Sequence, residues 1–458
     1  MNARHDPRMK PHPHPRITMR PRRRSGPGAQ RGAATLIVVM LLFFLVSLVA
    51  AYAARNLIFE QRTSTNQYRA TQALETAEAG LEWALAMLNG GRIDASCTPL
   101  VPPDVSQNSF RQRYLAIDID GNYTPRRWAD NVTRERPSCI QDGTGWNCSC
   151  PSGATPTPTT PTGGEIHPAF RVCFEAVSPP QPGVVRVVST ARTSFVDQSC
   201  ETAAEGNAGD AAASVSVVVA LSSALATPPS AAATTRRNLG LTGVSATLVN
   251  TDAQSRGTTT HVGGSFSTIG GTLALRTLPG TPEASSQVSD PQLGSLTVDQ
   301  LFLSLFGMPV STYRGQPATV RVDCSADCAN RLNNAVQANP GRIVWVDGNV
   351  SSSTSLSLGS DDAPALIVVD GNVSLTGGNL DIVGLLYGRN DIALVGANLT
   401  VRGAVVAARD FNSVGGTVEI EYNPAHLTQP NLIPPVLSHL RLASGSLVRV
   451  PGSWRDFP

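Results

Sequence analysis

From Gly32 to Ala54 the chain carries no charge and is built of Leu, Val, Ala, Phe and Ile with a few small polar residues. At about 1.5 Å per residue this run spans roughly 34 Å as a helix, enough for the hydrocarbon core of a bilayer. After Arg55 the apolar positions become periodic. Ala70, Ala73, Leu74, Ala77, Leu81, Ala84, Leu85 and Leu88 follow i, i+3, i+4, i+7 spacing, which predicts one buried stripe. Glu75, Glu78 and Glu82 lie off that stripe, no proline interrupts Ala33 to Leu88, and Gly90-Gly91 supplies the stop. The pattern predicts one continuous helix of roughly 84 Å whose second half packs on the next domain.

Beyond the helix the period changes to that of strands. From Cys97 to Pro151 the chain is polar and irregular, and "TPTPTTPTGG" reads as an exposed linker or loop. Three β-rich runs follow, Ala169 to Val177, Val184 to Thr193 and Ala213 to Leu221, predicting an antiparallel sheet against the helix. "TPPSAAATT" from Thr227 marks a domain boundary. From Arg342 the runs "IVWVDGNVS", "LIVVDGNVS", "GLLYGRNDIALVG" and "GAVVAARDFNSVG" recur, with Asp347, Asp370, Arg389 and Arg409 at matching places. Repeats of this kind predict a solenoid whose stacked coils bury Val, Ile and Leu and turn at glycines. The segment from Leu248 resembles a looser pair of coils, Leu296 to Met308 and Ala326 to Ala338 read as a helical insertion or lateral cap, and Trp454 is expected to close the open end. The expected fold is α+β: a long helix on an antiparallel sheet, then a β-solenoid-like domain. The expected divisions are a basic leader (1-32), the helix (33-90), an α+β domain with disulfides (91-226), a linker with β and helical insertions (227-340), and the solenoid with its cap (341-458).

Charge sets the orientation. The whole chain is +2, but residues 1 to 32 hold nine Lys/Arg against Asp6 alone, a local +8 that leaves −6 for the rest. A basic flank before an apolar run places that flank in the cytoplasm and everything after Arg55 outside. The basicity is read as topology, and no nucleic-acid partner is expected. All eight cysteines follow the apolar run, so Cys97, Cys139, Cys148, Cys150, Cys173, Cys200, Cys324 and Cys328 meet an oxidising exterior and are disulfide candidates, with pairings left open. Cys324 and Cys328 lack the further ligands that structural zinc needs, so a local disulfide is the better reading.

A short leader ending in Arg31-Gly32, an apolar helix entered without a break, and "QALETAEAGLEWAL" from Gln72 to Leu85 together resemble the N-terminal region of PilX-type minor pilins of type IV pili. The resemblance implies that prepilin peptidase cuts between Gly32 and Ala33 and that the Ala33 amine becomes methylated. It further implies a single-pass inner-membrane protein with a cytoplasmic N-terminus and periplasmic domains, extracellular once in the pilus, with other pilins and minor pilins as partners through the helix. Major pilins carry an aromatic residue or Met at mature position one and Glu at position five, where this chain has Ala33 and Ile37. In a filament that Glu pairs with a neighbour's terminal amine inside an apolar core. A subunit at the tip has no earlier neighbour, so Ile37 suits an initiating or tip position. Met19 offers a second start with the compact leader "MRPRRRSGPGAQRG". The terminal "PGSWRDF" segment extends the resemblance weakly through the tail.

Solenoids also host enzymes acting on polysaccharides, which need paired carboxylates or Asp with a bound cation. Asp347 and Asp370 recur at equivalent places, but both lie in Asp-Gly-Asn bends that favour Asp for turn geometry. Asp361, Asp362 and Asp381 are a conceivable calcium set and read better as a solvated loop, and His12 and His14 as part of a cytoplasmic arm. His261 and His426 have no Ser, Cys or acid at a recognised spacing, and there is no phosphate loop or dinucleotide fingerprint. Asn122, Asn131, Asn349, Asn372 and Asn398 begin Asn-x-Ser/Thr triplets. No enzyme, catalytic residue, metal or cofactor is expected. The leading reading is a minor pilin that displays a β-rich domain for contact with a surface or glycan. The alternatives are a single-pass anchored envelope protein acting on glycans and a type II secretion minor pseudopilin.

Overall fold

The computed structural model describes residues 32–118, 120–162, 166–195, 199–201, 210–325, 327–427 and 444–456. They form two compact units, one up to Thr65 and one from Asn66 onward. The helix Gly32–Leu88 makes up the described part of the first unit and opens the second. In the first unit every described side chain is exposed, including Leu36, Ile37, Phe43, Phe44 and Phe59.

In the second unit the helix buries Ala73, Thr76, Ala77, Gly80, Leu81, Ala84 and Leu88. This stripe is rotated from the expected one, because Ala70 and Leu74 are exposed whereas Thr76 and Gly80 are covered. The reason is close approach. A Cβ on Gly80 would lie 2.4 Å from Ser189 Oγ and 2.6 Å from the Phe170 ring, so the small residue marks the contact line. The partner is an antiparallel six-stranded sheet in the order Gly445–Arg449, Ala212–Ser223, Val184–Arg192, Ala169–Ala176, Ser138–Gln141, Trp146–Ser149. Its alternating positions Phe170, Val172, Phe174, Val185, Val187, Val215, Val217 and Val219 form one core with Ala77, Leu81, Ala84 and Leu88.

Apart from a short helix, Phe110–Tyr114, and the antiparallel pair Leu115–Ile117 and Tyr123–Pro125, the rest of this unit is a parallel β-helix with three columns of strands, carrying short helices. In the first column stand Thr319–Asp323, Ile343–Asp347, Ala365–Val369 and the second halves of Asn379–Gly388 and Asn398–Ala407, followed by Ala233–Thr235, Thr260–Val262 and Gln287–Ser289. The order is not sequential. The chain enters the stack at Ala233, builds to Ser289, crosses through helices to the opposite end, and returns coil by coil until Phe411–Val414 and Thr417–Tyr422 pair with Leu239–Val249. Strand-to-strand register in the inner coils is 19 residues, as for Asn379, Asn398 and Thr417. Arg389 therefore stands beside Ala408 and not Arg409, since Gly388 pairs with Ala407.

Continuous apolar runs in the first column follow from burial on both faces. Outside, the helix Val298–Phe306 stacks Phe302 5.9 Å from Trp345 and 5.6 Å from Tyr387, with Phe306 5.1 Å from Tyr387. The helix Cys328–Ala338 packs on the strands Thr319–Asp323, Ile343–Asp347, Val350–Ser352 and Leu356–Leu358 at one end of the stack.

Segment 227-340 is not a linker between domains, because its strands are coils of the same β-helix. The C-terminal segment is not a solenoid cap: Gly445–Arg449 is the edge strand of the antiparallel sheet, paired with residues 219–223, and Trp454 is exposed. An edge strand five residues long whose two large apolar residues, Leu447 and Val448, are adjacent rather than alternating carries too weak a pattern to be recognised in sequence.

Candidate functional site

Two features are candidates for function: the exposed apolar helix and the surface of the β-helix. From Leu36 to Phe59 large apolar side chains point outward around the whole helix, with Ile37 at 57% exposure. Such a surface is stable only in lipid or against other apolar helices, since each Å² left in water forgoes about 25 cal/mol. The helix is the described element long and apolar enough to cross a membrane. Gly32 opens it and Ala33 follows in the first turn. The leader, with Met19, His12 and His14, lies outside the described residues, as does the side chain of Ala33.

The helix ends in a buried polar joint. Asn89 Nδ2 donates to the carbonyls of Leu85 (3.1 Å) and Leu447 (2.9 Å), and its Oδ1 accepts from Leu447 N–H at 2.9 Å. Arg111 Nε donates to Leu88 O at 3.0 Å, and its Nη2 donates to Gly445 O at 2.9 Å. Cationic donors on the last carbonyls of a helix satisfy orphan acceptors and oppose the dipole. Burial holds the Arg111 guanidinium below its usual pKa, and burial followed by the nearby Arg111 charge brings Arg342 to about 10.

The cysteines pair as Cys97–Cys150, Cys139–Cys148, Cys173–Cys200 and Cys324–Cys328. The first ties the loop after the helix to the segment following the sheet's edge hairpin. The second spans the register pair of that hairpin.

The carboxylates weighed as catalytic are neutralised by arginines. Asp347 meets Arg314 and Arg321, each at 2.6 Å, and Arg389 bridges Asp370 and Asp299, the latter at 2.7 Å. Asp361 pairs with Arg402 and His426 at 3.1 Å each, and among the described residues no group of three or more His, Cys, Asp or Glu is placed to hold a metal. His261 Nε2 lies 3.0 Å from Asp290 Oδ2. That hydrogen bond is the main reason Asp290 sits below the ordinary carboxylate range.

A ladder that the repeats only hinted at runs up one corner of the β-helix. Asn349 Oδ1 accepts from Asn372 N–H (2.8 Å), Asn372 from Asp391 (3.2 Å), Asp391 from Asp410 (3.1 Å), Asp410 from Asn238 (2.9 Å) and Asn238 from Ser265 (3.0 Å). Two of the Asn-x-Ser/Thr asparagines, Asn349 and Asn372, are thus rungs. The usable signal was a side-chain oxygen recurring two residues after Asp347, Asp370 and Arg389.

One family model agrees with the helix reading. Residues 31–82 match the family model described as PilX N-terminal. No curated protein matches the chain. Among solved structures, the competence-associated pilin ComZ from Thermus thermophilus aligns at 11% identity over 84% of this chain and 97% of its own, with a TM-score of 0.21.

Proposed function

With a PilX-type N-terminal region at residues 31–82 as the premise, we propose that this chain is a minor pilin of a type IV pilus. The observation that carries the reading is the division of labour along Gly32–Leu88: side chains exposed and uncharged from Ala34 to Ala54, then, beyond Asn66, a stripe that seats on an antiparallel sheet. Before assembly the apolar part is held in the inner membrane with the domains on the periplasmic side. Prepilin peptidase cuts between Gly32 and Ala33, and the same surface then packs against the helices of other pilins in the filament. Ile37 in place of an acid favours a tip or initiating position, because no buried carboxylate there demands a neighbour's amine. The β-helix is displayed for contact with a surface. The role is structural and not catalytic, which the arginine-paired Asp347 and Asp370 support.

Filaments sheared from cells test this. The chain should be present in the sheared fraction in small amounts relative to the main subunit, with immunogold label at filament ends. Filaments that form normally and never contain the chain would overturn the proposal.

A further inference from the structure

One side of the β-helix differs from the others in carrying no charge. Its second column of strands includes Val373–Thr376, Ile392–Val395 and Phe411–Val414, continued by the first part of Leu239–Val249 and of Phe266–Arg276. At the last outward position of each coil stand Thr376, Val395, Val414, Thr242 and Ile269, all exposed and in register. Around the next corner stand Asn379, Asn398, Thr417, Ser245 and Thr272, again in register. Between the two rows the corner begins with glycine in each of these five coils, and a Cβ on Gly377, Gly396 or Gly243 would meet nothing within 4 Å. The result is a methyl-rich row and an amide and hydroxyl row separated by bare backbone. At about 4.8 Å per coil the rows run for roughly 19 Å.

The polar row is already ordered. Asn398 Nδ2 donates to Asn379 Oδ1 (2.9 Å), Thr417 Oγ1 donates to Asn398 Oδ1 (2.9 Å), and the Ser245 and Thr272 hydroxyls are 3.0 Å apart. Groups fixed before binding lose little freedom when a ligand arrives. The neighbouring surfaces are charged: Asp370, Arg389, Asp391 and Asp410 on the preceding corner, Asp381, Arg402, Glu419 and Glu421 on the following face. A strip without cations offers nothing to an anionic polymer, and one without carboxylates nothing to a basic partner.

We propose that this strip binds an uncharged, extended glycan chain lying along the β-helix axis. Sugar C–H faces lie on the methyl row, sugar hydroxyls exchange hydrogen bonds with the amide and hydroxyl row, and the glycine corner admits the chain without steric obstruction. The proposal rests on the surface-contact part of the pilin reading and names the ligand class for it.

The test uses the full chain in detergent micelles and measures retention on cellulose, chitin, mannan and amylose, with alginate and polystyrene beads for comparison. Retention on at least one of the four uncharged polysaccharides is expected, falling at least tenfold in V395K/V414K and unchanged in T400K/E419K on the adjoining face. If V395K/V414K does not fold, by circular dichroism, T376K/T242K replaces it. No retention on any of the four, or retention untouched by charge on the strip, overturns the proposal. Strip-dependent retention on polystyrene or alginate alone also overturns it and assigns the strip to an apolar or anionic partner. Because the readout is binding by the isolated chain, incorporation into filaments without glycan retention would sink this inference and leave the pilin reading intact.

Discussion

Asp410 Oδ1 accepts hydrogen bonds from both the backbone N–H and the side-chain amide of Asn238, each at 2.9 Å, across 172 residues of chain. This pair is the seam at which the returning coils dock on the first ones, and it repeats the geometry used between consecutive coils. Asp410→Ala removes the acceptor at a solvent-accessible corner, so the expected cost is about 1 kcal/mol. Hydrogen exchange should quicken in Leu239–Val249 and Phe411–Val414 and stay unchanged in Val184–Arg192. Asp410→Asn, which keeps an oxygen acceptor, should retain protection. Equal exchange in the alanine variant would mean that the seam is held by packing alone.

Asn89 joins the helix end to the C-terminal strand through two hydrogen bonds with Leu447, one to its carbonyl and one from its N–H. Asn89→Leu leaves the buried Leu447 N–H and carbonyl unmatched, and a loss on the order of 3 kcal/mol follows. Chemical denaturation gives the number, and limited proteolysis should then cut near Gly445–Arg449 first. A variant as stable as the parent would show that the strand does not depend on this joint.

Gly80 has no room for a larger side chain, because a Cβ would press on Ser189 and Phe170. Gly80→Val should destabilise the second unit by about 3 kcal/mol through overpacking, whereas Ala79→Val, at a half-buried neighbour, should cost far less. Thermal unfolding of the two variants compares them directly. If both melt alike, the helix does not approach the sheet at Gly80.

The pair His261 and Asp290 sets an acid limb. The hydrogen bond from His261 is the leading cause of the lowered Asp290 pKa, with partial burial opposing it and the Gln292 and Leu293 backbone assisting. A depressed folded-state pKa contributes stability that is fully present above the unfolded value, 3.8, and is lost as pH falls through the folded value. In His261→Ala the Asp290 carboxyl should titrate closer to 3.8, so that share of acid resistance disappears, as NMR titration of the carboxyl carbon would report. An unmoved Asp290 would mean that the backbone N–H groups alone depress it.

The parts of this molecule legible in sequence were those whose period is enforced by burial. The apolar run from Gly32, the strands around Val172, Val187 and Val217, and the coils around Ile367 and Val405 all repeat because one or both faces must leave water. Coil order was not legible, since nothing in the local pattern of Leu239–Val249 states that it pairs with Thr417–Tyr422 rather than with the preceding residues. The Arg389 register was misread by one position because the corner tolerates Ala408 beside Arg389, where side-chain identity is free. The hairpin Ser138–Gln141 and Trp146–Ser149 was hidden in a loop-like composition and is held in part by Cys139–Cys148, a constraint that periodicity does not encode.

The most direct measurement is the N-terminus of the membrane-extracted chain, by mass spectrometry, from cells with and without prepilin peptidase. A methylated Ala33 that disappears when the peptidase is absent is the result expected of a minor pilin. A chain that keeps its basic arm, beginning at Met1 or Met19 in both cells, would contradict that role and leave a β-helix anchored permanently in the membrane.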